Sequence, residues 1–178
     1  MNGNYVARDR GTVWWITGLS GAGKSTVSRL VRDGLSARGR SALLLDGDIM
    51  RAVLGDTAGH ADEDRRRLAF SYGRLAREVA RQGIDAVCAT ISMFHVVREW
   101  NRCHIPDYRE IYLRVPIVEL EHRDPKGLYA KVRRGEDVQV VGIDAPFEEP
   151  GDPDLVVDNF GPTTAAQTAA RILALVTP

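Results

Sequence analysis

A chain of 178 residues, 44% apolar and 27% charged, is long enough to bury one continuous core without disulfide or metal staples. Lysine plus arginine equals aspartate plus glutamate at 24 each, so no global field draws the protein to nucleic acid or a membrane, and any anion must be held locally. Two cysteines, Cys88 and Cys103, make neither a disulfide framework nor a zinc set, and no apolar run approaches a membrane span or a signal region. The expectation is one cytoplasmic domain over residues 1–178, free of repeats and low-complexity tracts.

The first apolar run, Val13 to Thr17, reads as a buried strand. It leads straight into Gly18-Leu19-Ser20-Gly21-Ala22-Gly23-Lys24-Ser25-Thr26, which fits GxxxxGK[ST], the strand-to-helix loop whose backbone N–H groups wrap the phosphates of a nucleoside triphosphate. Lys24 would reach the β- and γ-phosphates, Ser25 would hold Mg²⁺, and a helix running to about Ala37 would aim its positive end at the anion. ATP and Mg²⁺ are therefore the expected cofactors, with Gly18, Ser20, Gly21, Ala22, Gly23, Lys24, Ser25 and Thr26 as the ATP-binding set.

Ala42 to Leu45 reads as the second strand, ending in Leu45-Asp46-Gly47-Asp48 and followed by Arg51. In open α/β sheets ligands lie at the carboxyl ends of strands, so both carboxylates should sit near the phosphate loop. A carboxylate there orients Mg²⁺ through its water shell or takes the proton of an attacking hydroxyl; elsewhere Asp-Gly-Asp is a plain turn. Asp62 to Gln82 reads as a helix, with Leu68, Tyr72, Leu75 and Val79 on its core face and Gly83 as its stop.

Asp85 to Thr90 is the third strand, with Cys88 as core packing, and its end continues through Ile91, Ser92, Met93 and Phe94. Arg98 and Arg102 follow, four apart on one helix face. A single arginine is ordinarily a surface ion pair of little value, but Arg51, Arg65, Arg98 and Arg102 gathered at one sheet end suggest an anionic acceptor. Glu110 to Val115 is the fourth strand. From Arg123 to Pro150 the chain is basic and then turn-rich, either a solvated helix and loop or a mobile basic lid over reacting phosphates. Leu155 to Asp158 is the fifth strand, and the last helix begins near Pro162 and runs to Val176. The alternation predicts an α/β protein of the P-loop NTPase type: a five-stranded parallel sheet flanked by helices, with a basic lid at about 123–150. Trp14, Trp15 and Trp100 are expected to pack.

These residues together resemble the adenylyl-sulfate kinase family, enzymes that use ATP to phosphorylate the ribose 3′-hydroxyl of adenylyl sulfate. The resemblance runs from about Val13 to Asp158. Beyond the phosphate loop it rests on Leu-Asp-Gly-Asp at 45 to 48 with Arg51, Asp64-Arg65, Ile91-Ser92, Arg-Asp-Pro-Lys-Gly-Leu-Tyr at 123 to 129 and Gly-Ile-Asp-Ala-Pro-Phe-Glu at 142 to 148. It implies that Asp48 is the base on the acceptor hydroxyl and that Asp46 lies near the metal at the edge of the acceptor site. Arg51 and Arg65 would hold the acceptor's anionic part, Ile91 and Ser92 would line its pocket, and Lys126 would belong to the lid. Sulfate activation is the implied process, and ATP with an anionic nucleotide-type acceptor the implied partners. A homodimer stays open.

The chain also departs from the family pattern. The two phenylalanines that clamp the acceptor's adenine are replaced by His60 and Val140, an asparagine by Leu68, and a proline by Met93. A stacked aromatic contact to a base is worth about 1–3 kcal/mol, so adenine binding should weaken unless His60 stacks instead. Two acceptors follow: adenylyl sulfate, or another nucleotide-linked compound such as a cytidine diphosphate-linked phosphoramidate of surface-polysaccharide or secondary-metabolite biosynthesis. A small-molecule kinase, which would accept a neutral alcohol, and a nucleotide-binding regulator without transfer are the competing classes.

Overall fold

The computed structural model describes residues 9–54, 62–136, 140–143 and 145–176. The elements follow in the order β1 (Val13–Thr17), α1 (Lys24–Ser36), β2 (Ala42–Asp46), α2 (Gly47–Leu54), α3 (Asp62–Ala80), β3 (Asp85–Ala89), α4 (His95–His104), β4 (Tyr108–Arg114), α5 (Ile117–Arg123), α6 (Leu128–Arg133), β5 (Leu155–Asp158) and α7 (Ala165–Leu173). The five strands lie in the order β2-β3-β1-β4-β5, all parallel. Every predicted strand is present, with β4 beginning two residues earlier because Tyr108 pairs with Val13 at the start of β1.

The continuous apolar run of β1 reflects its central place: all five residues are buried between β3 and β4. Successive side chains point to opposite faces. Trp14 and Ile16 pack with Val27, Val31 and Leu35 of α1 and Ala169 and Ile172 of α7. Val13 and Trp15 pack on the other side with α3 and with Val97 of α4. The sheet is thus covered on both faces, as the strand pattern predicts.

The core stripe of α3 differs from the sequence expectation by one position. Tyr72 and Val79 are buried as predicted, but Ala69, Ala76 and Ala80 complete the stripe, while Leu75 is 37% exposed and Leu68 only half-buried. Alanine lets the helix lie close to the sheet, and that contact outweighs the longer leucines, which rotate to the flanks. The last helix also starts later than predicted. Thr164 caps it: the hydroxyl accepts from Gln167 N (3.2 Å) and Gln167 Oε1 accepts from Thr164 N (2.9 Å). With these N–H groups satisfied at 164, Pro162 stays in the preceding turn.

Because the chain steps outward from β1 to β2, returns to β3 and then crosses to β4, the direction of winding reverses beside β1. A crevice opens at that point, at the carboxyl ends of the strands, and it is where Thr17, Asp46 and Ala89 end their strands.

Candidate active site

The loop from Gly18 to Lys24 turns through three glycines of positive φ: 150° at Gly18, 78° at Gly21 and 89° at Gly23. The room is as restrictive as the dihedrals. A Cβ on Gly18 would lie 2.7 Å from the Leu113 carbonyl oxygen, and one on Gly23 would lie 2.8 Å from Asn159 Nδ2. Asn159, just past β5 and buried, holds the loop from below: its Nδ2 donates to Ala22 O (2.8 Å) and its Oδ1 accepts from the Thr168 hydroxyl of α7 (2.7 Å). From above, Tyr129 of α6 donates its hydroxyl to Ser20 O (2.9 Å), and burial pushes the Tyr129 phenol up to about 12. The Ser20 and Ala22 carbonyls are thereby occupied, and Leu19 O accepts from Ala22 N (3.2 Å), which tightens the turn of the loop.

Lys24 begins α1 and donates to Leu19 O (2.8 Å). Its ammonium is lowered to about 8, chiefly by burial and then by the charge of Lys126, with Asp48 and Asp46 opposing the shift. Across from it, β2 passes directly into α2, and the Gly47 carbonyl accepts from the Tyr72 hydroxyl (3.1 Å). Asp46 Oδ1 accepts from Asp48 N (3.0 Å), while Asp46 Oδ2 is buried with no hydrogen-bond partner among the described residues. A buried, unpartnered carboxylate oxygen facing the same cavity as the Ser25 hydroxyl suits a divalent cation with oxygen ligands. The Asp48 side chain is more than half exposed and forms an ion pair with Lys126.

A cavity of about 270 Å³ joins these groups. Ser20, Gly21, Gly23, Lys24, Ser25 and Thr26 line one side; Asp46, Asp48, Arg51, Arg65 and Leu68 line another; Ile91, Ser92, Met93, Phe94 and Lys126 close it. Ser92 has a φ of 22°, and the turn it makes is pinned by a hydrogen bond between the Thr90 and Ser92 hydroxyls (2.6 Å) and by Thr17 Oγ1 donating to Ile91 O (2.5 Å). Gly18 and Ala22 frame the loop rather than line the cavity.

One expectation is not reached by the structure and two find a different outcome. His60 lies outside the described residues. Val140 is 3% exposed and packs into the larger core cluster, and its neighbour Val141 lines the cavity instead. Arg98 and Arg102 do not line the cavity; both face Glu110 of β4, because a carboxylate buried on a central strand needs cations close by. Sequence reasoning missed Asn159, Tyr129 and Tyr72. Their signal is weak: a polar residue at a strand end and two tyrosines inside helical runs.

The family model described as adenylylsulphate kinase matches residues 10–158. The chain belongs to the adenylyl-sulfate kinase family. An adenylyl-sulfate kinase of Picosynechococcus is 40% identical over 146 residues, covering 82% of each chain. A solved structure of the Mycobacterium tuberculosis APS kinase CysC in complex with AMPPNP and APS superposes with a TM-score of 0.88 at 35% identity, covering 94% of this chain and 98% of that one. A probable bifunctional SAT/APS kinase 2 of Sorangium cellulosum is 41% identical over 164 residues; the chain spans 92% of its own length but only 28% of that relative's. Among the described residues no helix is long and apolar enough to cross a membrane.

Proposed function

We propose that this protein is a MgATP-dependent kinase that transfers the γ-phosphate to the ribose 3′-hydroxyl of adenylyl sulfate. One observation carries the reading: the phosphate loop, two carboxylates and two arginines line a single cavity, so donor and anionic acceptor meet in one space. The similarity to the kinase solved with AMPPNP and APS supports ATP as donor and adenylyl sulfate as acceptor. It favours adenylyl sulfate over a cytidine diphosphate-linked compound.

The loop N–H groups and Lys24 hold the donor phosphates. Ser25 and Asp46 would hold Mg²⁺, which when bound neutralises charge on the phosphates. Arg51 and Arg65 hold the anionic linkage of the acceptor and so fix its ribose. Leu68 and Phe94 offer apolar faces to its base, on the side of the cavity where the family's asparagine is absent. Asp48 takes the proton from the 3′-hydroxyl as that oxygen attacks phosphorus, and the bond to the ADP oxygen breaks. Lys126, in the lid, neutralises the moving group. Positioning and charge compensation supply most of the acceleration in such transfers. A cytoplasmic location belongs to the same reading.

The test is ADP release with ATP and a panel of acceptors: adenylyl sulfate, cytidine diphosphate derivatives, free nucleosides and neutral sugars. Adenylyl sulfate should be turned over with the highest efficiency. Equal efficiency with a neutral alcohol would overturn the assignment, and preference for the cytidine compounds would overturn the acceptor.

A further inference from the structure

Arg98 is 4% exposed, and it is not part of the cavity. Its Nε lies 3.3 Å from Glu110 Oε1 on β4. Nη1 is buried with no hydrogen-bond partner among the described residues, and Nη2 serves both remaining contacts. Nη2 donates to His95 Nδ1 (2.7 Å), since arginine can only donate, and also approaches the carbonyl oxygen of Glu149 (3.4 Å). His95 is the first residue of α4, directly after Ser92, Met93 and Phe94 of the cavity wall. Glu149 belongs to the strand of chain that returns from the lid through Pro146, which lines the same cavity.

The two segments are tied to each other as well. Glu148 N donates to Met93 O (3.1 Å), and the Glu148 carboxylate accepts from His95 N. Tyr112 of β4 donates its hydroxyl to Glu149 Oε1 (2.8 Å), a second anchor to the same strand. Burying a guanidinium is costly without compensation, and desolvation lowers the Arg98 guanidinium while it raises the Glu110 carboxyl. A plain surface ion pair would not need that burial. The guanidinium faces the Glu110 carboxylate as an ion pair through Nε and reaches the imidazole and the backbone carbonyl through Nη2, a spread of nitrogens that a single lysine ammonium does not offer.

The geometry points to Arg98 as a positioning residue for the acceptor: it clasps the turn at 91–95 to the lid's return segment at 145–149, so that the acceptor wall and the lid form one unit resting on Glu110. The inference rests on the reading that this wall receives adenylyl sulfate. It makes no use of the phosphate loop, and so separates the two substrates. Loosening the clasp should weaken the acceptor and leave the donor alone.

Two variants test it. Arg98→Lys keeps a positive charge against Glu110 but cannot reach both other partners; Glu148→Ala, at an exposed position, removes only the carboxylate that accepts from His95 N. Each should raise KM for adenylyl sulfate, by about tenfold and about threefold respectively, with KM for ATP and kcat within about twofold of the parent. Amide exchange of the substrate-free protein should quicken together in residues 91–95 and 145–149 in both variants. Parallel loss against both substrates, unchanged KM for the acceptor, or faster exchange in only one of the segments would overturn the clasp. Exchange is read without substrate, so coupled quickening in a protein that ignores adenylyl sulfate would support the clasp and overturn the acceptor assignment.

Discussion

Lys126 and Asp48 form an ion pair at the mouth of the cavity, with half or more of each side chain exposed. The lid cation expected to meet the donor phosphates is thus held by the carboxylate expected to take the acceptor's proton. Exposed pairs contribute little to stability, so breaking this one on substrate entry costs little. Lys126→Met should leave thermal stability within ~0.5 kcal/mol of the parent. It should lower kcat by about a hundredfold, because a charge aimed at the moving phosphoryl group is lost. Stopped-flow or steady-state ADP release checks the rate, and scanning calorimetry checks the fold.

Asp48→Ala should reduce kcat by about 10²–10⁴ while leaving ATP affinity measurable by titration calorimetry, since general bases contribute on that scale. Near-normal turnover would remove Asp48 from the chemistry.

Lys24 gives a pH dependence. Its ammonium sits at about 8 without ligand because it is buried, and phosphate oxygens beside it would raise that value. The bound form then holds the proton more tightly than the free form, so ATP affinity is complete below about pH 8 and declines above it. Binding near pH 8.5 should take up a proton, visible as a dependence of the calorimetric enthalpy on the ionisation enthalpy of the buffer. Lys24→Met should abolish that uptake.

Asn159→Ala should strand the Ala22 carbonyl and the Thr168 hydroxyl together, at a cost of about 1–3 kcal/mol by chemical denaturation. KM for ATP should rise more than KM for the acceptor, because only the phosphate loop loses its support. Equal shifts in both constants would place Asn159 in the general scaffold instead.

Much of this arrangement was legible in the sequence because its signals are local. The glycine spacing from Gly18 to Gly23, the strand running into it, and the Asp46-Gly47-Asp48 strand end each need only a few neighbouring residues to be read. What escaped depends on residues far apart in the chain. Asn159 reaches Ala22 across 137 positions, and Tyr129 reaches Ser20 across 109. Arg98 was misplaced for the same reason: a basic residue near a sheet end looks like an anion ligand until Glu110 appears opposite it. Along the core stripe of α3 the expectation holds at Tyr72 and Val79 and misses by one position at Leu68 and Leu75, because periodicity alone weighs leucine above alanine, whereas close approach to a sheet favours alanine.

That stripe bears on selectivity. Ala69, Ala76 and Ala80 set how near α3 lies to the sheet, and the same helix carries Leu68 and Tyr72 to the cavity. A single added methyl group on the hidden side of this helix would therefore shift the cavity wall expected to meet the acceptor without altering any residue that lines it. Acceptor preference in such a scaffold is tunable from its interior, and two members with identical linings need not accept the same substrate.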